Sequence, residues 1–251
     1  MPDSGVLTAE LTAWIALLMV IVARLSFVVF LMPGIGEQTV PVRVRGAVLL
    51  AVAFAFATAG VIGQPDTASL TTFFSLMISE AVIGLFLGIL LRLSIWMLSI
   101  AGTLIAQVIG LAQMLGIALE TEAQTLTANM LSMAGTALLL SMDYHISVVA
   151  RLAQLYGEIP AGALSEIDVT FLINSSFDAF TFAVLLAWPF VAINLLYNIC
   201  LGFINKALPS LMVAFVGAPF MIGAGLILLT ASITTMLMVW LDRVPSLVGW
   251  L

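Results

Sequence analysis

Long uninterrupted apolar runs are the feature that most constrains this chain. The first run, LTAWIALLMVIVARLSFVVFLM, covers residues 11–32 and contains a single charged side chain. A helix crosses the hydrocarbon layer of a bilayer with about 20 apolar residues. A membrane-spanning strand instead needs alternating polar and apolar positions in a closed barrel. Because the apolar runs here do not alternate, they predict transmembrane helices and an all-α fold class.

The whole composition supports a polytopic membrane protein. Of 251 residues, 63% are hydrophobic and 8% are charged, whereas soluble domains carry about 25% charged residues. The chain divides into six or seven apolar helical segments, most of them separated by turn residues, with the third running almost without interruption into the fourth. Their predicted ranges are 11–32, 46–62, 70–91, 94–116, 129–150, 177–203 and 211–241. No shift of composition marks a second domain, so we expect one membrane domain over residues 1–251.

The chemistry-bearing residues are too few and too dispersed for several classes of function. The seven basic residues are scattered along the chain, whereas a nucleic-acid surface needs them clustered. One cysteine and one histidine leave too few ligands for a zinc site. The sequence shows no phosphate-binding loop, no serine elbow and no paired acidic site on one helix. We therefore predict no enzyme, no metal, no cofactor and no nucleic-acid partner.

Two ionisable residues lie inside apolar segments. Arg24 and Glu80 each carry an insertion cost of roughly 2.5 to 3.5 kcal/mol if ionised at the centre of a membrane helix. One interpretation is structural, in which Arg24 extends toward the interface or pairs with a buried partner. The other is an ion pathway, with Arg24, Glu80 and His145 as its polar groups. The sequence favours the structural interpretation and does not assign the partner.

Glycine spacing predicts a close helix contact next to Glu80. The segment GLFLG places Gly84 and Gly88 four residues apart, on one face of a helix. Small residues at this spacing let two helix backbones approach closely. We expect this face to pack against another helix.

Four groups of residues occur in a specific order along nearly the whole chain. Arg24 and Pro33 precede GEQTVPVRVR, which contains Pro41 and Arg43, and Glu80 precedes VIGLFLG. His145 is followed by Pro160 and Gly162. The last group is Asn198, Gly202, Asn205, Lys206, Pro209, Gly217 and Pro219. This order resembles the pattern of the FliR family of flagellar export proteins and its injectisome relatives. Tyr144 and Ser210 depart from that pattern, where the family usually has glycine and glutamine.

The resemblance implies a function that composition does not reveal. It implies a subunit of the flagellar type III protein export gate, a helical assembly in the bacterial inner membrane at the flagellar basal body. Its implied partners are FliP-like and FliQ-like proteins, FlhB-like and FlhA-like proteins, membrane lipid and the unfolded protein substrates that pass through the pore. The alternatives are an injectisome export-gate subunit, a secondary transporter that uses Arg24 and Glu80, and a scaffold without any role in a pore.

The polar stretch ALETEAQTLT follows the fourth apolar segment. By resemblance to the family, we expect residues 113–127 to form a loop that plugs the pore. Gly110 and Gly116 would let the chain leave its helix. The predicted plug residues are Gln113, Met114, Leu115, Gly116, Glu120, Glu122 and Gln124, with Met114 and Leu115 filling the constriction and the last three facing water. The alternative is a surface connection in which Thr125 or Thr127 caps the next helix.

Overall fold

The computed structural model describes residues 4–63, 69–110, 120–207 and 213–249. These residues form seven α-helices and no strand, which confirms the all-α prediction. The helices are α1 (Ser4–Leu31), α2 (Val42–Thr58), α3 (Leu70–Ile109), α4 (Glu120–Ser141), α5 (Tyr144–Glu158), α6 (Val169–Ala207) and α7 (Val213–Val248). A short 3-10 helix, Leu164–Glu166, lies between α5 and α6.

Four of the helices, α1, α3, α6 and α7, are long and apolar enough to cross a membrane. The pair α4 and α5 makes a fifth span if it is counted as one bent crossing. The 17 residues of α2 extend about 26 Å, which is less than the roughly 30 Å of a hydrocarbon core. The described residues therefore do not confirm six or seven apolar segments.

The predicted third and fourth segments form one helix. α3 runs without a break through 40 residues, about 60 Å of helix. The sequence between the two predicted segments, LLRLSIW, contains no glycine or proline, so nothing in it ends a helix. Arg92, which lies between the two predicted segments, is only half-buried and is paired with Glu37. The boundary predicted near residue 92 was wrong.

The predicted segment 129–150 is instead two helices. α4 ends at Ser141, α5 begins at Tyr144, and the chain bends by 67° between them. Asp143 at the break has a φ of 55°, in the left-handed region that aspartate occupies more readily than most residues. α5 is the most amphipathic helix of the described part, with Val148, Leu152 and Leu155 buried along one side.

The chain divides into two compact units. The first contains Met1–Leu93, Leu139–Ser175 and Val248–Leu251, so it includes α1, α2, α5 and the first part of α3. α1 and α2 pack directly against each other. The fully buried side chains of this unit come mainly from α1 and α3, and include Val20, Ile21, Leu25, Val28, Ile83 and Leu87.

The second unit contains Ser94–Leu138 and Ser176–Leu247. The hydroxyls of Ser99 in α3 and Ser132 in α4 lie 2.7 Å apart. A Cβ added at Gly102 would meet the Ala128 Cα at 2.6 Å, so α3 and α4 are in backbone contact there. Trp240 of α7 is fully buried and donates its indole N–H to the Ser94 carbonyl at 2.7 Å. The prediction of a single membrane domain over residues 1–251 stays a prediction.

Candidate functional site

The first unit holds an ion pair between the two charges that lie inside apolar segments. Arg24 Nε donates to Glu80 Oε2 at 2.7 Å, and Arg24 Nη2 donates to Glu80 Oε1 at 2.9 Å. The side chains of Arg24 and Glu80 are 1% and 0% exposed. Because the guanidinium fork matches the carboxylate, both oxygens are engaged at once. The two buried charges therefore neutralise each other, as the structural interpretation of Arg24 predicted.

The loop after α5 completes the hydrogen bonding of this pair. Arg24 Nη1 donates to the Ile159 carbonyl at 3.1 Å, and Nη2 donates to the Pro160 carbonyl at 3.4 Å. The backbone N–H of Gly162 donates to Glu80 Oε1 at 2.9 Å. Buried charges are tolerated when their remaining donors and acceptors also find partners. The pair thus connects three segments that are remote in sequence: α1, α3 and residues 159–162.

Aromatic contacts cover the guanidinium. Its Cζ atom lies 4.0 Å from the centre of the Tyr156 ring, within the range of a cation–π interaction. Tyr156 in turn meets Phe56 edge to face, with ring centres 6.2 Å apart. α5 therefore covers one face of the guanidinium through Tyr156, and α2 supports that ring through Phe56.

Glycines bring α1 and α3 close enough for the ion pair to form. A Cβ at Gly84 would overlap the Arg24 carbonyl oxygen. At Gly88, an added Cβ would meet the Phe27 carbonyl oxygen at 2.8 Å. This confirms the close helix contact that the glycine spacing predicted, and it identifies α1 as the partner. Because Gly84 is four residues after Glu80, the contact and the ion pair share one face of α3.

Gly162 is required by backbone conformation as well as by space. Its φ is +85° and an added Cβ would lie 3.0 Å from a methyl carbon of Leu76. A side chain costs roughly 1 to 2 kcal/mol in this left-handed region. Glycine at position 162 therefore permits the turn in which its N–H donates to Glu80.

The arrangement holds the helices and leaves little freedom for ion exchange. Glu80 accepts two hydrogen bonds from Arg24 and one from the Gly162 backbone. A transported ion would have to displace this bidentate pair. His145, the third group of the predicted pathway, makes no hydrogen bond to Arg24 or Glu80 in the described part of the chain. The geometry suits a fixed structural joint better than a transport path.

A second ion pair was missed by the sequence reasoning. Arg92 Nη1 donates to Glu37 Oε1 at 2.7 Å, and both side chains are about one-quarter exposed or less. It ties the segment between α1 and α2 to α3. The sequence does show one acid in GEQTV, Glu37, and one base in the middle of α3, Arg92. Because they are 55 residues apart, the sequence alone does not indicate that they pair.

The remaining family-pattern residues of the first unit occupy separate positions. Pro33 is buried, Pro41 directly precedes α2 and Arg43 is exposed on that helix. His145 is the second residue of α5, and its Nδ1 is buried without a hydrogen-bond partner among the described residues. The structure therefore joins Arg24, Glu80, Gly84, Gly88, Pro160 and Gly162 in one site and leaves these four outside it.

The carboxy-terminal pattern lies in the second unit. The exposed members on α6 are Asn198, Gly202, Asn205 and Lys206. In α7, a Cβ at Gly217 would overlap the Tyr197 hydroxyl, so α6 and α7 approach closely there. Pro219 is exposed inside α7. Pro209 lies outside the described residues.

The predicted plug segment is described only in part. Gln113, Met114, Leu115 and Gly116 lie outside the described residues. Glu120, Glu122 and Gln124 belong to the first turns of α4, and their side chains lie outside the described part. α3 ends just before Gly110, whose φ of 79° agrees with the predicted exit from the helix.

The extent predicted for the loop was wrong at its second half, because residues 120–127 are helical. The capping alternative was also wrong. Thr125 and Thr127 lie inside α4, well after its first residue, and Thr127 is buried.

Comparison with known proteins finds similarity along almost the whole chain. Residues 15–246 match the family described as bacterial export proteins, family 1. The chain is 32% identical to the flagellar biosynthetic protein FliR of Caulobacter vibrioides over 231 residues, which cover 90% of this chain and 91% of that relative. The FliR proteins of Aquifex aeolicus and Escherichia coli are 26% and 23% identical, over 84% and 87% of this chain and 82% and 85% of theirs.

Proposed function

The chain belongs to the bacterial export proteins of family 1, and from this we propose that it is a subunit of the flagellar type III protein export gate. In this role it forms part of the pore through which unfolded flagellar subunits leave the cytoplasm. Its place is the bacterial inner membrane, at the flagellar basal body. The FliR relatives that cover most of the chain favour the flagellum over the injectisome.

The observation that carries the proposal is the joining of family-pattern residues in a single buried joint. Arg24, Glu80 and Gly162 come from three separate segments and bond directly to each other. The side chains of Arg24 and Glu80 are at most 1% exposed, and the loop after α5 holds them in addition to their bonds to each other. This closed arrangement favours a structural role in a gate subunit over an ion path in a transporter.

We propose that FliP-like and FliQ-like proteins surround this chain in the gate, and that FlhB-like and FlhA-like proteins join them. The burial of the spans supports this. In the most apolar 18-residue stretch of each helix, 28% of the residues of α6 and 17% of those of α7 are buried within the chain. The corresponding share in α1 and α3 is 44%. The exposed sides of α6 and α7 are therefore available to other subunits or to lipid.

Within this proposal, residues 113–119 remain the candidate plug of the pore. Gly110 ends α3 in a left-handed conformation, and α4 begins at Glu120. The plug is thus shorter than the range 113–127 expected from the sequence. In this proposal Met114 and Leu115 supply the apolar bulk of the plug.

The first test is purification of the tagged full-length protein from its native cells in mild detergent, with mass and subunit composition measured. A large assembly that contains FliP-like and FliQ-like proteins is the expected result. A lone monomer or a homodimer, obtained repeatedly under gentle conditions, would favour the transporter.

The plug has its own test. Deletion of residues 113–118 keeps α4 intact and should make cells leak ions. Replacement of the five residues 64–68 by five glycine and serine residues is the control and should leave the membrane tight. A tight membrane after the deletion would remove the plug from the proposal and leave the gate subunit.

A further inference from the structure

α6 presents a polar stripe on an otherwise apolar surface. The stripe consists of Asn194, Asn198, Gly202 and Asn205, spaced four, four and three residues apart. At 3.6 residues per turn these positions fall within an arc of about 80°. Asn194 is half-buried, and the other three are exposed. We name this set the asparagine stripe.

The stripe lies in the part of α6 best suited to the membrane interior. No charged residue occurs between Asp178 and Lys206. Asn198 lies about 12 Å from Lys206 along the helix axis, and Asn194 about 18 Å. A hydrocarbon core is about 30 Å thick. The two amides therefore sit at a depth where lipid offers them no hydrogen-bond partner.

The hydrogen bonds within the chain satisfy these amides only in part. Asn198 Nδ2 donates to the Asn194 backbone carbonyl at 2.8 Å and to Asn194 Oδ1 at 3.0 Å. Asn198 Oδ1 accepts no hydrogen bond from the described residues. Asn194 Nδ2 donates none to them. An unsatisfied amide in hydrocarbon costs several kcal/mol. The open side of the pair therefore requires a polar partner beyond the described chain.

Gly202 adds a second, independent feature to the same stripe. A Cβ added at Gly202 would meet nothing within 4 Å, so no described residue packs against α6 at that point. Tyr197, by contrast, faces Gly217 of α7, a direction about 100° away from Asn198. A small residue beside membrane amides is the combination that lets a second helix approach and hydrogen-bond.

We propose that the asparagine stripe binds a transmembrane helix of another subunit, one that presents hydrogen-bonding side chains among apolar residues. The inference deepens the proposed function and rests on it, because the partner helix belongs to the export assembly. Asn198 and Asn194 form interhelical hydrogen bonds with that helix, and Gly202 provides the close approach.

The test uses the tagged full-length protein in its native cells. Gly202→Leu and Asn198→Leu should each lower the amount of co-purified assembly roughly tenfold, as expected for the loss of one or two interhelical hydrogen bonds or their close approach. The matched control is Cys200→Leu, since Cys200 is also exposed but lies on a different face of α6. Full assembly in both stripe variants would overturn the inference. If the unaltered protein itself forms no assembly, the proposed function fails first.

A cysteine placed in the stripe separates the possible neighbours even if a leucine variant fails to accumulate. Asn198→Cys is introduced together with Cys200→Ala and is labelled with a thiol-reactive photo-cross-linker, which reacts with any neighbouring side chain or lipid on illumination. A cross-link to a different membrane subunit supports the inference. A cross-linked homodimer would overturn it in favour of a second copy of this chain. Rapid labelling by a membrane-impermeant thiol reagent in the assembled complex would overturn it in favour of a water-filled channel.

Discussion

Arg24 and Glu80, which are 56 residues apart in the chain, meet in a bidentate ion pair with distances of 2.7 and 2.9 Å. The pair is sealed from solvent, and its remaining hydrogen bonds go to residues 159–162. Either charge, if unpaired, would oppose membrane insertion. Paired with each other, the two charges become part of the tertiary structure. The stability of the first unit therefore depends on both partners being present together.

Replacing one partner should be much more damaging than replacing both. Glu80→Gln leaves Arg24 without its counter-charge and should destabilise the protein by about 3 to 5 kcal/mol. Adding Arg24→Met should recover part of this loss, since the double variant buries no unpaired charge. Thermal unfolding in detergent and membrane abundance measure both effects.

The control for this pair is Arg151→Gln, which removes the exposed ion pair with Glu158. Exposed pairs contribute about 1 kcal/mol or less, so this variant should resemble the unaltered protein. A double variant less stable than Glu80→Gln would show that the two residues act independently.

Gly84→Ala should separate α1 from α3. Its new methyl group would overlap the Arg24 carbonyl, and such overpacking costs about 1 to 3 kcal/mol. Gly46→Ala in α2 is the matched control, because an added Cβ there meets nothing within 4 Å. Alanine in an open helical position should instead stabilise by roughly 0.5 to 1 kcal/mol. Equal unfolding temperatures for the two variants would contradict the close contact.

Gly162→Ala tests the turn that directs a backbone N–H at Glu80. The residue has a φ of +85°, and we expect a loss of roughly 1 to 2 kcal/mol. Gly157→Ala lies in the last turn of α5, where an added Cβ meets no neighbour, and should be neutral or stabilising. Proteolysis of the loop around residue 162 is the second measurement. Unchanged cleavage in Gly162→Ala would contradict a role in holding this loop.

Trp240→Phe should weaken the second unit by about 1 kcal/mol, since it removes the donor to the Ser94 carbonyl and keeps most of the apolar contact. Trp240→Ala should cost about 3 to 5 kcal/mol because it also leaves a cavity. Trp188→Phe is the control, since Trp188 is 59% exposed and should change stability little. Thermal unfolding measures these effects. A lower unfolding temperature for Trp188→Phe than for Trp240→Ala would overturn the role of Trp240 in the second unit.

The sequence located the buried charges but not their pairing. The cost of a lone charge in an apolar helix identifies Arg24 and Glu80 individually, because that cost depends on local sequence alone. Their meeting depends on how α1 and α3 pack, which local patterns do not contain. The spacing of Gly84 and Gly88 likewise predicted a close contact without naming α1. The Gly162 N–H could not be anticipated, since backbone groups leave no trace in side-chain chemistry.

The predicted helix boundaries were wrong where a polar stretch was interpreted as a loop. ETEAQT consists largely of good helix formers, and acidic residues favour a helix amino terminus. That signal was available for the start of α4 at Glu120. The sequence signal for the break between α4 and α5 at Asp143 is weaker, because aspartate tolerates the left-handed conformation but does not require it. No glycine or proline marks that position.

The sequence distances within the buried joint also set an order for biosynthesis. Arg24 emerges from the ribosome 56 residues before Glu80 and 135 residues before Ile159. At typical bacterial synthesis rates, the wait for the carboxylate is roughly 3 to 11 seconds. Throughout that time Arg24 lacks its counter-charge, and the cost of an unpaired charge at membrane depth favours a position near the interface. α1 can therefore reach its final depth only after the first part of α3 has been made.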